Sequence, residues 1–71
     1  MKIEILVKMA NDISDFFNAE SNKEIAVEGV AKHILRSWDP RMRRDIIAYY
    51  KQDGAALSEL ARKAVAKLEQ P

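Results

Sequence analysis

The sequence predicts a small all-α domain, a bundle of three to four short helices covering residues 1–71. Three observations carry that expectation. Apolar residues recur at helical spacing along almost the whole chain, without the period-2 alternation of half-buried strands. Only two Gly and two Pro interrupt the 71 residues, and one of these, Pro71, stands last. Each break in the periodicity coincides with a capping or breaking signal.

The first helix is expected from about Lys2 to Asn18. Ile3, Leu6, Ala10, Ile13 and Phe17 follow the spacing of an amphipathic helix. Ile5, Val7, Met9 and Phe16 widen that stripe to roughly 200°, about twice the usual apolar arc. Glu4, Lys8, Asn11, Asp12, Asp15 and Asn18 fill the polar remainder. A domain this small covers only part of so wide an arc. One side is therefore expected to meet its own core, and the other a partner, with Met9 and Phe16 as contacts.

The second helix is expected from Lys23 to Ser37, capped by Ser21 or Asn22, whose short side-chain oxygens accept free backbone N–H groups. Val27, Val30, Ala31, Ile34, Leu35 and Trp38 form its apolar side. Glu28, Lys32 and Arg36 stand at i, i+4 spacing opposite, the first pair in the favourable acid-first order. Gly29 falls on the polar side and weakens the helix by about 1 kcal/mol relative to Ala. A close backbone approach would account for it, and so would chance.

Asp39-Pro40 is the clearest boundary. Proline cannot continue a helix interior and pushes the residue before it into an extended conformation. Aspartate in that conformation is a preferred N-cap, and proline suits the first helical position. The third helix thus runs from Pro40 to about Gln52, with Met42, Ile46, Ile47, Tyr49 and Tyr50 on its apolar side. Asp53-Gly54 end it, Gly54 as a left-handed cap. The fourth begins at Ala55 or Ser58 and ends at Glu69, with Leu57, Leu60, Ala61, Ala64, Val65 and Leu68 inward.

Composition narrows the function. A chain of this length buries only about 60% of the surface its unfolded form exposes. No cysteine is present, so disulfides and thiol chemistry are excluded. One histidine without cysteine argues against a dedicated zinc site. The net charge is +1, short of the basic excess expected of a nucleic-acid binder. No apolar run reaches the roughly 18 residues of a membrane span. No secretory signal is read at the N-terminus, which suits a cytoplasmic protein. Asp12 and Asp15 lie on a polar helix face and read as solvated carboxylates. His33, at the edge of the second helix's polar face, reads as a hydrogen-bonding surface residue. No catalytic, cofactor-binding or metal-binding constellation is expected.

The densest stretch of specific side chains is residues 33–44. It holds the only Trp, the only His, the only internal Pro and four Arg. Trp38 precedes the cap and faces the fourth helical residue, Arg43, a pairing that suggests a cation–π contact. A basic first turn opposes the helix dipole, so carboxylates or phosphates are expected to compensate Arg41, Arg43 and Arg44. Trp and Arg are also enriched among binding hot spots. Trp38, Asp39, Arg41, Met42 and Arg43 are therefore expected partner contacts, beside Met9 and Phe16.

Three segments carry a resemblance. They are Leu6-Val7-Lys8-Met9-Ala10-Asn11-Asp12-Ile13 with Phe16-Phe17, then Val30-Ala31-Lys32-His33-Ile34 with Trp38-Asp39-Pro40-Arg41-Met42-Arg43, then Asp53-Gly54-Ala55-Ala56-Leu57-Ser58-Glu59-Leu60. Together they resemble the delta subunit of cytoplasmic, NAD-dependent molybdenum formate dehydrogenases. The family pattern is richer in Gly in the third segment and often has Pro near position 59. Ala56 and Glu59 stand here instead, which suggests a more helical connection. The resemblance implies an accessory subunit with no active site or cofactor of its own, partnered with the catalytic (alpha) subunit. The implied complex carries a molybdenum or tungsten bis-pterin guanine dinucleotide, iron–sulfur clusters and FMN. Two alternatives remain open: a transient maturation chaperone of that enzyme, and a small helical nucleic-acid-binding regulatory module.

Overall fold

A computed structural model describes residues 2–69. Four helices run in order: α1 (Ile3–Phe17), α2 (Lys23–Ser37), α3 (Pro40–Gln52) and α4 (Glu59–Glu69). Helix α2 packs against both α1 and α4, and α3 packs mainly against α4. The shared core is aliphatic. Leu6, Val30, Ile34, Ile46 and Val65 are fully buried, and Trp38, Leu57 and Val27 join them. The radius of gyration is 10.8 Å, against about 11 Å from the scaling for a closed domain of this length. The core thus closes without a partner.

Local chemistry sets each boundary. The Asn22 side chain accepts from the N–H groups of Glu24 (3.0 Å) and Ile25 (3.3 Å) at the start of α2. Lys23 Nζ donates to the carbonyls of Asn18 and Glu20, placing a cation on the exit of α1, as the helix dipole favours. Asp39 is extended, and its carboxylate accepts from Met42 N at 3.0 Å, with Pro40 opening α3. Gly54 has φ +70°, the left-handed conformation that ends a helix with least strain on glycine.

The connection from α3 to α4 departs from the helical expectation. Residues 53–58 form a turn, closed by a bond from Leu57 N to the Gly54 carbonyl at 3.1 Å. Helix α4 begins at Glu59, with Ser58 Oγ accepting from Ala61 N. Of the two expected starts, Ala55 is overturned and Ser58 holds. The physical reason is side-chain clamping of the loop backbone. Asn11 Nδ2 donates to the Ala56 carbonyl (3.0 Å), and Asn11 Oδ1 accepts from Ser58 N (2.9 Å). Ala56 N donates to the Tyr49 hydroxyl, and Arg62 donates to the Gly54 carbonyl. Asn11, which falls on the polar side of α1, links that helix to this loop.

Three further expectations are corrected. Leu35 does not join the apolar side of α2; it is 54% exposed, because it lies ~100° around the helix from Ile34. Glu28 pairs with Lys67 of α4 at 2.9 Å, where Lys32 of its own helix was expected. Gly29 is approached by a ring: a Cβ there would stand 2.5 Å from Phe17 Cε1. Glycine is what allows Phe17 of α1 to lie against α2.

Candidate functional site

The expected contact residues fall into two groups on different elements. The first is the α2–α3 corner. Trp38 is 3% exposed and belongs to the core. Almost all of its surface is taken up by the core, so its indole has little to offer a partner in this structure. Arg43 is half-buried, and its guanidinium donates to the backbone carbonyls of Trp38 and Leu35. These are the open carbonyls at the end of α2, which a cation satisfies well. The cation–π pairing expected of Trp38 and Arg43 is therefore replaced by a carbonyl cap. Asp39 caps α3, Met42 is half-buried against the core, and Arg41 is exposed. No acidic residue stands in the first turn of α3, so Arg41 and Arg44 meet solvent on a helix start that disfavours cations.

The second group lies on α1. Its inner face is Leu6, Val7, Ala10 and Ser14, all buried. Ser14 donates to the Ala10 carbonyl at 2.9 Å, which satisfies its hydroxyl without a partner outside the helix. Ile5, Met9 and Phe16 lie on the other side. Phe16 is 78% exposed and Ile5 48%, while Met9 is half-buried. Phe16 meets Phe17 edge-on, ring centroids 5.3 Å apart. Phe17 in turn stands 6.5 Å from His33 of α2. Asp12, Ile13, Phe16, Phe17 and His33 line a shallow groove of about 390 Å³ beside the ridge. Lys8 and Asp12 pair at 2.9 Å along it, and the Asp12 carboxylate raises the Lys8 pKa above its ordinary value, chiefly through that hydrogen bond.

No hydrogen bond or ion pair joins the two groups among the described residues. Residues 33–44 thus gather into a structural corner, whereas on α1 Phe16 is exposed and Met9 is half-buried against the core. Three exposed apolar residues, Ile5, Ile25 and Leu35, escaped the sequence reading as contacts. Ile5 was legible, since it stands four residues before Met9 on the same face. Leu35 was not, because α2 is apolar on both sides of its boundary.

Among the described residues, no group of three or more His, Cys, Asp or Glu is placed to hold a metal ion. The chain has no cysteine thiolate to ligate an iron–sulfur cluster. What the geometry offers is surface: an apolar ridge with an ion pair along it, and a basic corner. Among the described residues, no helix is long and apolar enough to cross a membrane.

Neither a curated protein nor a solved structure matches the chain. One family model does, over residues 5–65, and its span takes in the α1 ridge, the Trp38–Arg43 corner and the Asn11-clamped loop. The chain belongs to the family of NADH-dependent formate dehydrogenase delta subunits, FdsD.

Proposed function

We propose that the chain is a non-catalytic accessory subunit that assembles with, or stabilises, the catalytic subunit of a cytoplasmic NAD-dependent formate dehydrogenase. The observation that carries this reading is the outward face of α1. A closed 71-residue domain leaves Phe16 78% exposed, with Ile5 and Met9 on the same side. Large apolar side chains grouped on one exposed face mark interaction sites. Family membership supports a formate dehydrogenase complex as the setting of that interaction. Arg41 and the rest of the basic corner are a second contact in this reading, with Trp38 and Asp39 holding the corner's shape from within. The redox groups of the complex, a molybdenum or tungsten pterin centre, iron–sulfur clusters and FMN, belong to the large subunits.

The test is co-purification of the tagged chain from native lysate, with the stoichiometry and activity of what comes with it. Equimolar recovery with active formate dehydrogenase is the expected outcome. Recovery of only inactive, cofactor-free catalytic subunit contradicts a resident subunit and supports a transient chaperone. Recovery of neither contradicts both. In that case, retention on nucleic acid that falls steeply with salt supports the regulatory-module reading.

A further inference from the structure

Arginine is unevenly placed in this chain. Four of the five stand between residues 36 and 44, whereas the seven lysines are spread from Lys2 to Lys67. Two arginines are taken up by backbone: Arg43 by the carbonyls of Leu35 and Trp38, and Arg62 by that of Gly54. The other three, Arg36, Arg41 and Arg44, are exposed. None of them joins an ion pair among the described residues, although Lys8, Lys51 and Lys67 each hold a carboxylate at 2.9 Å. The acids nearest in sequence do not serve them. Asp39 holds Met42 N, and Asp45, one turn after Arg41, pairs with neither Arg41 nor Arg44.

Arg43 fixes the corner from which these groups project. Its guanidinium ties the last turn of α2 to the first turns of α3. Arg41 and Arg44, three residues apart, share one side of α3. Cations at a helix start are unfavourable by themselves, and Arg43 alone is compensated within the chain. A local rule broken without compensation inside the domain marks a surface kept for something else. Because Asp39 already occupies the end of α3, the arginine side chains, and not the backbone N–H groups, are what the corner offers.

A guanidinium fork matches the paired oxygens of a carboxylate or a phosphate. Two occupants fit the corner badly. A nucleic-acid duplex carries one negative charge per about 1.7 Å of its axis, so it sets phosphates against the exposed Asp39 and Asp45 as well as against the arginines. A second copy paired about a two-fold axis at this corner sets arginine against arginine, and like charges across an interface are strongly unfavourable. A different protein surface has neither fault, since it places carboxylates opposite the arginines and none opposite the aspartates.

We propose that the α2–α3 corner binds a carboxylate-bearing surface of the catalytic subunit. Asp or Glu side chains of that surface lie against Arg41 and Arg44 of α3 and Arg36 of α2. Leu35, next to Arg36 and 54% exposed, adds an apolar contact at the same corner. This rests on the reading of the chain as an accessory subunit and adds the charge of the partner's surface and the residues that meet it.

The test is the affinity of the full-length chain for co-expressed catalytic subunit, with a thermal melt on each variant. Failure of wild type to bind overturns the accessory-subunit reading itself. With wild-type binding established, Arg41→Glu/Arg44→Glu is expected to weaken it about 100-fold. Arg41→Lys/Arg44→Lys keeps the charge and loses the fork, and is expected to weaken it by about threefold to tenfold. Wild-type affinity is expected to fall as salt rises from about 50 mM to about 500 mM, and that of the charge-reversed variant to change little. Arg41→Glu puts an acid in the first turn of α3, so its melting temperature is expected at or above that of wild type. Loss of binding beside undiminished stability separates an interface role from a structural one. Binding of the charge-reversed variant within about twofold of wild type overturns the proposal and leaves the accessory-subunit reading intact. Two further results overturn it in favour of other occupants: wild-type binding to a DNA duplex at about 0.15 M salt that charge reversal abolishes, and sedimentation of the isolated chain as an oligomer that charge reversal dissociates.

Discussion

The α2–α3 corner and the outward face of α1 invert the usual expectation about binding residues. The corner is rich in Trp and Arg, yet much of that chemistry is directed inward. Trp38 fills the core, Arg43 caps the carbonyl end of α2, and Asp39 caps α3. The α1 face carries only Ile5, Met9 and Phe16, residues common in any core; Ile5 and Phe16 are left outside, and Met9 beside them is half-buried. Residue type thus says less about binding than surplus does. A corner consumes specific side chains to turn the chain. A helix with more apolar surface than its domain can cover has that surface to give to a partner.

The comparison breaks most decisively at Trp38. Trp38→Ala is expected to cost about 3–5 kcal/mol, a large fraction of what a domain of this size holds. Loss of helical circular dichroism at 25 °C is the expected observation. A well-folded Trp38→Ala variant that fails to bind would instead return the indole to the interface. Asn11 comes next. Asn11→Ala removes two of the four side-chain hydrogen bonds that clamp the loop and leaves the Ser58 N–H short of its partner. The expected cost is about 1–3 kcal/mol by urea titration, and a melt unchanged from wild type would show the clamp to be incidental.

Gly29 sharpens the comparison further, because two arguments give opposite signs. Helix propensity alone predicts that Gly29→Ala stabilises by about 1 kcal/mol. The Cβ would meet the Phe17 ring at 2.5 Å, and displacing a packed ring costs about 1–3 kcal/mol. A lower melting temperature is expected; a higher one would mean that Phe17 moves freely. The smallest effect belongs to Glu28. Its hydrogen bond to Lys67, and then the Lys67 charge, hold its carboxyl below the ordinary glutamate value of 4.5. A carboxyl depressed in the folded state stabilises above its unfolded value and ceases to do so as pH falls through the folded one. Glu28→Gln should therefore flatten the stability profile below pH 4.5 and change little at neutral pH, since exposed pairs contribute little. A profile identical to wild type on the acid side would show that the pair has no weight.

Much of this fold was legible because its boundaries are written locally. Asn22, Asp39-Pro40 and Gly54 each cap or break a helix through their own backbone and neighbours, and all three stand where that chemistry places them. The unread features are contacts across the chain. Asn11 reaches the loop at Ala56 and Ser58, more than forty positions away. Glu28 chooses Lys67 over a cation on its own helix. Phe17 explains Gly29 only once α1 lies on α2. The candidate site divides the same way. The width of the α1 stripe was a count along one helix, whereas the burial of Trp38 and the capping by Arg43 depend on how α2 and α3 turn against each other.

The central claim is that the α1 face contributes to association and not to folding. Phe16→Ala tests it most directly, with urea unfolding and affinity for the catalytic subunit measured on one preparation. The account predicts stability within about 0.5 kcal/mol of wild type, as for an exposed substitution, together with a clear loss of binding. A destabilised variant that still binds as tightly as wild type would contradict it.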